Sequence, residues 1–110
     1  ALSELNTPGK ASDVWYASTH FIKCICRIAL KDLETAKSDY AEGLKYKDKF
    51  SDDETYWRYR AMSSLAIGDL NDYSKAREAS VRLAGKWSIY RDELDRFAEH
   101  WKTVSKNLPK

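Results

Sequence analysis

Apolar residues recur along this chain at intervals of three and four, the spacing that lines one face of an α-helix. From Val14 they fall at Val14, Ala17, Phe21, Cys24/Ile25 and Ile28, and Ile22, Cys26, Ala29 and Leu30 broaden the stripe beyond one face. The first helix is therefore expected to be central in the fold. Lys31 and Asp32 interrupt it, Asp32 being a good N-cap, and Leu33, Ala36, Tyr40 and Gly43/Leu44 mark a second helix to about Lys47. Ser51-Asp52-Asp53-Glu54 reads as a capping box, with the serine oxygen and the glutamate exchanging contacts with backbone N–H groups. The third helix that it opens carries Trp57, Ala61 and Leu65, with Met62 and Ala66 beside them, and stops at Gly68. Asp69 caps a fourth helix whose inward positions are Leu70, Tyr73, Ala76, Ser80, Val81 and Leu83, ended by Gly85. The last helix starts near Ser88 and has the cleanest period: Ile89/Tyr90, Leu94, Phe97/Ala98, Trp101, Val104/Ser105 and Leu108, closed by Pro109.

The expected fold is all-α: about five helices as antiparallel hairpins, forming either a repeat solenoid or a compact helical bundle. Residues 1–11, with Pro8-Gly9 and no apolar period, read as a flexible arm, and Ser12 or Asp13 can cap the first helix. A single domain then spans 12–108, with hairpins at 13–47 and 52–84 and the C-terminal helix at 88–107. Breaker content supports this. Proline occurs only at positions 8 and 109, and four glycines are too few to punctuate a β-sandwich or a βαβ fold. The 110-residue chain is one domain's worth and long enough to bury a core without a disulfide or a metal.

Charge and cysteine usage narrow the function. A net charge of +2 is too near balance for a dedicated nucleic-acid binder. The longest apolar run, Phe21 to Leu30, is broken by Lys23 and Arg27 and is too short to span a bilayer. Cys24 and Cys26 point about 200° apart on a helix and cannot bridge; reduced thiols in a cytoplasmic protein are expected, with a periplasmic or secreted home after processing left open. His20 and Cys24, four apart, supply half a zinc site with no second pair near them in sequence, so no metal is expected. Asp52, Asp53, Glu54 and Asp92, Glu93, Asp95 are explained as acidic helix starts. With no phosphate loop, no activated nucleophile and no other cofactor motif, the chain reads as non-enzymatic.

A faint repeat is present. Ala29-Leu30-Lys31-Asp32-Leu33 aligns with Ala66-Ile67-Gly68-Asp69-Leu70 at an offset of 37, as do Cys24, Ile25 and Ile28 with Ala61, Met62 and Leu65. Further on, Ala36-Lys37 meets Ala76-Arg77, as though Asn71-Asp72-Tyr73 extended the second turn. Asp32-Leu33-Glu34-Thr35-Ala36 with Tyr40 and Gly43-Leu44, and Trp57 with Ala61 and Gly68-Asp69-Leu70, resemble the two halves of the tetratricopeptide repeat over roughly residues 15–84. His20 stands where that pattern wants a bulky apolar residue. The resemblance implies a solenoid whose concave surface is lined by the first helix of each unit, here by Phe21, Ile25, Arg58 and Met62. The lysine/asparagine pattern with which some members clamp a terminal carboxylate is not evident.

Surface chemistry adds candidates for contact with a partner. Lys23, Arg27 and Lys31 are in line on the first helix, Lys45, Lys47 and Lys49 surround Tyr46, and Arg58 and Arg60 flank Tyr59. Four Trp and seven Tyr exceed what five short helices require, and Trp, Tyr and Arg dominate binding hot spots. The leading expectation is a protein–protein interaction module that holds a partner peptide or helix. A homodimeric bundle with a regulatory or immunity role stands second, and a nucleic-acid-binding regulator third.

Overall fold

The computed structural model describes residues 10–86 and 88–106. Among them are five helices and no strand: α1 (Lys10–Ala29), α2 (Leu33–Leu44), α3 (Glu54–Ile67), α4 (Leu70–Ala84) and α5 (Ser88–Lys106). The fold is all-α, and no described helix is long and apolar enough to cross a membrane. Most of the expected arm (1–9), Trp87, Leu108 and Pro109 lie outside the described residues. Because α1 already runs from Lys10, Ser12 and Asp13 sit inside it and do not cap it.

Two boundaries differ from the sequence pattern for local reasons. The second helix ends at Leu44, not Lys47, because Lys45, Tyr46 and Lys47 each bond back three residues, tightening the chain into turns. Phe50, 4% exposed, anchors that connection in the core. The third helix starts at Glu54, two residues later than the expected bound at 52, because a different residue caps it. Asp53, not Ser51, is its N-cap, accepting from Thr55 N at 3.0 Å. The Ser51 carbonyl accepts from Trp57 Nε1 at 2.7 Å, and Glu54 turns to the Ser80 hydroxyl at 2.7 Å.

The repeat noticed in the sequence is sharp at the hairpin turns. Lys31 N–H donates to Ile28 O and Asp32 N–H to Arg27 O; at the same offset, Gly68 N–H donates to Leu65 O and Asp69 N–H to Ser64 O. Lys31 and Gly68 both take positive φ, 66° and 89°. Asp32 then accepts from Thr35 N and Asp69 from Asp72 N, each at 3.2 Å. Each turn is a Schellman closure followed at once by an N-capping aspartate. Asn71-Asp72-Tyr73 is therefore no extension of the turn but the start of α4. The register shift arises inside the helix: Ala76, not Tyr73, is the fully buried counterpart of Ala36, so α4 meets its neighbour almost a turn further along.

α3, rather than α1, is the central element, packing against all four others; α1 packs chiefly on α2 and α3. The molecule measures 40 × 34 × 22 Å, and its short dimension is about two helix diameters of ~10–12 Å, a two-layer arrangement. Between α1 and α2 the Phe21 ring lies directly against the Gly43 backbone, where a Cβ would overlap it. Phe21 also meets Tyr56 edge-on at 5.4 Å, and the Tyr56 hydroxyl donates to Gly43 O at 3.1 Å. This aromatic knot ties α1, α2 and α3 together.

Candidate functional site

The most polarised group of side chains lies inside the protein. Arg60, 5% exposed, grips Asp72 with two parallel bonds, Nη2 to Oδ1 at 2.6 Å and Nε to Oδ2 at 3.0 Å. Tyr40 donates to Asp72 Oδ2 at 2.6 Å and Ser64 to the same oxygen at 2.7 Å. Burial alone would raise the Asp72 carboxyl, but the bonds from Arg60, Tyr40 and Ser64 outweigh it and hold its pKa down to about 2. Burial, reinforced by the Asp72 carboxylate, pushes the Tyr40 phenol well above its ordinary range. The face of the guanidinium rests on Trp57, 4.7 Å from the ring centroid. Both carboxylate oxygens are engaged, and Arg60 Nη1, which has no hydrogen-bond partner among the described residues, is itself buried, so the chemistry of the set is that of a clasp between α2, α3 and α4. Arg60, expected beside Tyr59 on a basic surface, is thus an interior residue.

A second polar group joins α1 to α2. His20 Nδ1 lies 3.3 Å from Asp39 Oδ1, and Arg27 Nε 3.5 Å from Asp39 Oδ2. Cys24 beside them is fully buried, and burial together with the Asp39 charge pushes its thiol up to about 12. A thiol so placed is not a nucleophile at neutral pH. Among the described residues no three His, Cys, Asp or Glu side chains converge on a metal position.

The residues expected to meet a partner do not form one surface. Phe21 is wholly buried and Met62 is 7% exposed, so both belong to the core, and Ile25 is half-buried against it. Phe21 departs from the concave-face expectation because Gly43 opens a slot that its ring fills. Arg58 is engaged at the seam between α3 and α5: Nη1 donates to Glu93 at 2.6 Å, and its guanidinium lies 4.3 Å from the Tyr90 ring centroid and 5.5 Å from that of Tyr59. Tyr59 is half-buried beside it. Lys23 is exposed and Arg27 half-exposed, both on α1. Lys45 pairs with Glu42 at 2.7 Å.

Among the described residues, the outer side of α1 offers a continuous exposed strip. Trp15, Thr19, Ile22, Cys26 and Ala29 are all exposed and succeed one another by three and four. Trp15 is 55% exposed, leaning on Tyr59 with ring centroids 6.4 Å apart, and Leu30 at the end of α1 is 74% exposed. From Val14 to Lys31 the chain contains no Asp or Glu. The breadth of the first helix's apolar stripe is the sequence signal for this face, although breadth alone suits a central helix equally well. A shallow groove of about 550 Å³ lies elsewhere, lined chiefly by Leu65, Tyr73, Ala98 and Trp101. No family model, curated protein or solved structure matches the chain.

Proposed function

We propose that this chain is a non-enzymatic protein-interaction module made of two stacked helical hairpins in the manner of tetratricopeptide repeat proteins. The observation that carries the reading is the exposed strip of apolar and aromatic side chains on α1, backed by a helix pair whose own core is already filled. The two bonds shared by the Lys31-Asp32 and Gly68-Asp69 turns support the repeat half of the reading. Closed polar clusters and a protonated Cys24 favour binding over catalysis. Two free thiols suit a reducing, cytoplasmic setting.

The test is reconstitution. A partner captured on the immobilised chain, identified and purified separately, is expected to form a defined complex by size-exclusion chromatography with light scattering, while the chain alone runs at its 12.7 kDa mass. A concentration-dependent dimer with no hetero-complex would favour the homodimeric bundle instead, and DNA binding that weakens steeply with salt would favour the nucleic-acid regulator.

A further inference from the structure

Resting on the interaction-module reading, the structure allows the face and the chemistry of the partner to be named. Trp15 and Ile22 on α1, with Leu30 in the turn just after it, make an apolar ridge, and the buried Ala17, Phe21 and Cys24 lie on the opposite side of the helix. The ridge thus faces away from the buried side of α1 and meets the rim of the core where Trp15 leans on Tyr59. Lys23 beside Ile22 and Lys31 beside Leu30 are exposed, and neither has an ionic partner among the described residues. On α2, Asp39 faces His20 and Arg27 and Glu42 faces Lys45, while Asp32 and the exposed Glu34, which follow Lys31 in sequence, form no ion pair with it.

We propose that the outer strip of α1 docks an amphipathic helix of a partner protein, one that carries carboxylates alongside its own apolar stripe. An apolar ridge with helical spacing matches a helical stripe, and exposed cations that form no ion pair within the described chain favour an acidic one. A second copy of this chain fits poorly, because a symmetric pairing of α1 with α1 would set Lys23 and Lys31 against their own kind. An anionic membrane is served by clusters of about four to eight Lys/Arg, more than this strip presents.

The probe is a fluorescently labelled, helix-forming synthetic peptide with leucines at helical spacing flanked by glutamates, titrated with the intact chain by anisotropy. Its controls are a lysine-for-glutamate counterpart and a scrambled peptide of the same composition. The glutamate peptide is expected to bind at least about tenfold tighter than either control, and to weaken as ionic strength rises from about 0.05 to 0.5 M. Ile22→Asp, Trp15→Ala and the pair Lys23→Glu/Lys31→Glu should each weaken it about tenfold or more. Ile89→Asp, at an exposed position on α5, should leave it unchanged, with helicity checked by circular dichroism throughout. If Ile22→Asp disturbs the helix, the lysine pair carries the test, since both lysines are exposed and neither forms an ion pair within the described chain. Equal binding of the lysine peptide, undiminished binding by the variants, or no binding of the glutamate peptide overturns the proposal. So does a dimer dissolved by Ile22→Asp, or co-sedimentation with phosphatidylserine vesicles showing the same residue dependence. A reconstituted protein partner that ignores these substitutions would remove the strip and leave the module standing; failure to reconstitute any partner would remove the module itself.

Discussion

The Tyr40 hydroxyl donates to Asp72 Oδ2 at 2.6 Å across 32 residues of chain, so the first hairpin is fastened to the second through a carboxylate that Arg60 already holds. Unpairing this clasp leaves a buried charge, which is far costlier than losing an ordinary hydrogen bond. Arg60→Ala is expected to destabilise the protein by about 3–5 kcal/mol and Tyr40→Phe by about 1–3 kcal/mol. The double variant Arg60→Met/Asp72→Leu should recover most of the loss, because it removes both charges together. Urea unfolding followed by circular dichroism measures all three, and equal losses in the Arg60 single and double variants would show that the charges are not coupled.

Acid should open the same clasp. The Asp72 carboxyl is depressed from 3.8 to about 2 in the folded protein, so it contributes stability above pH 3.8 that is lost as pH falls toward 2. That contribution is about 2 kcal/mol. Glu54 runs the other way: burial raises its carboxyl above 4.5, so its contribution is present below that pH and lost as pH rises. Asp72→Asn should flatten the acid limb of the stability profile, and Glu54→Gln the limb above pH 4.5. Unfolding midpoints measured across pH 2–7 separate the two.

The paired turns predict opposite outcomes for opposite exchanges at positive φ. Lys31 holds φ 66° with a side chain, and Lys31→Gly should stabilise the protein by about 0.5–1 kcal/mol. Gly68 holds φ 89° with open space around it, and Gly68→Ala should cost about 1 kcal/mol through backbone strain alone. Gly43→Ala fails by another route, overlap with the Phe21 ring, at about 1–3 kcal/mol, and Phe21→Leu should restore part of it. Thermal melts of the four proteins test whether conformation or packing sets each position.

The two cysteines should react at very different rates. Cys26 is exposed, whereas Cys24 is buried with its thiol raised to about 12. A thiol-reactive chromophore at neutral pH should label one cysteine per folded chain rapidly and the second only on denaturation. Rapid labelling of both, or persistence of the fast phase in Cys26→Ser, would contradict this placement.

The helices and hairpin turns are legible in the sequence because their signals are local: Asp32 and Asp69 cap, Gly68 closes, and apolar spacing marks the faces. The centre of the fold is not legible there. α3 buries Arg60, Ser63 and Ser64 alongside Tyr56, Trp57, Ala61 and Met62, so its inward side is wider than its apolar stripe and partly polar, while α1, with more apolar positions than its contacts use, has the pattern of a central helix. Arg60 reads as surface because a charge is ordinarily solvated, and its partner Asp72 is twelve residues away in another helix. The tetratricopeptide resemblance sets Phe21 outward; only the bare Gly43 backbone opposite makes room for it within. For the outer strip the spacing of Trp15, Ile22 and Cys26 is visible, but which side of a broad stripe meets solvent depends on where α2 and α3 lie.

The clasp also makes the hairpins unequal halves. A chain severed in the connection between Leu44 and Asp53 leaves Arg60 and Asp72 together on the C-terminal fragment, with a ready seat for the Tyr40 phenol of the N-terminal fragment. Phe21 in turn needs Gly43 on its own fragment and Tyr56 on the other. The two pieces thus carry complementary halves of a single register key, one aromatic and one ionic, and mixing them would regenerate the native pairing in preference to any slipped one.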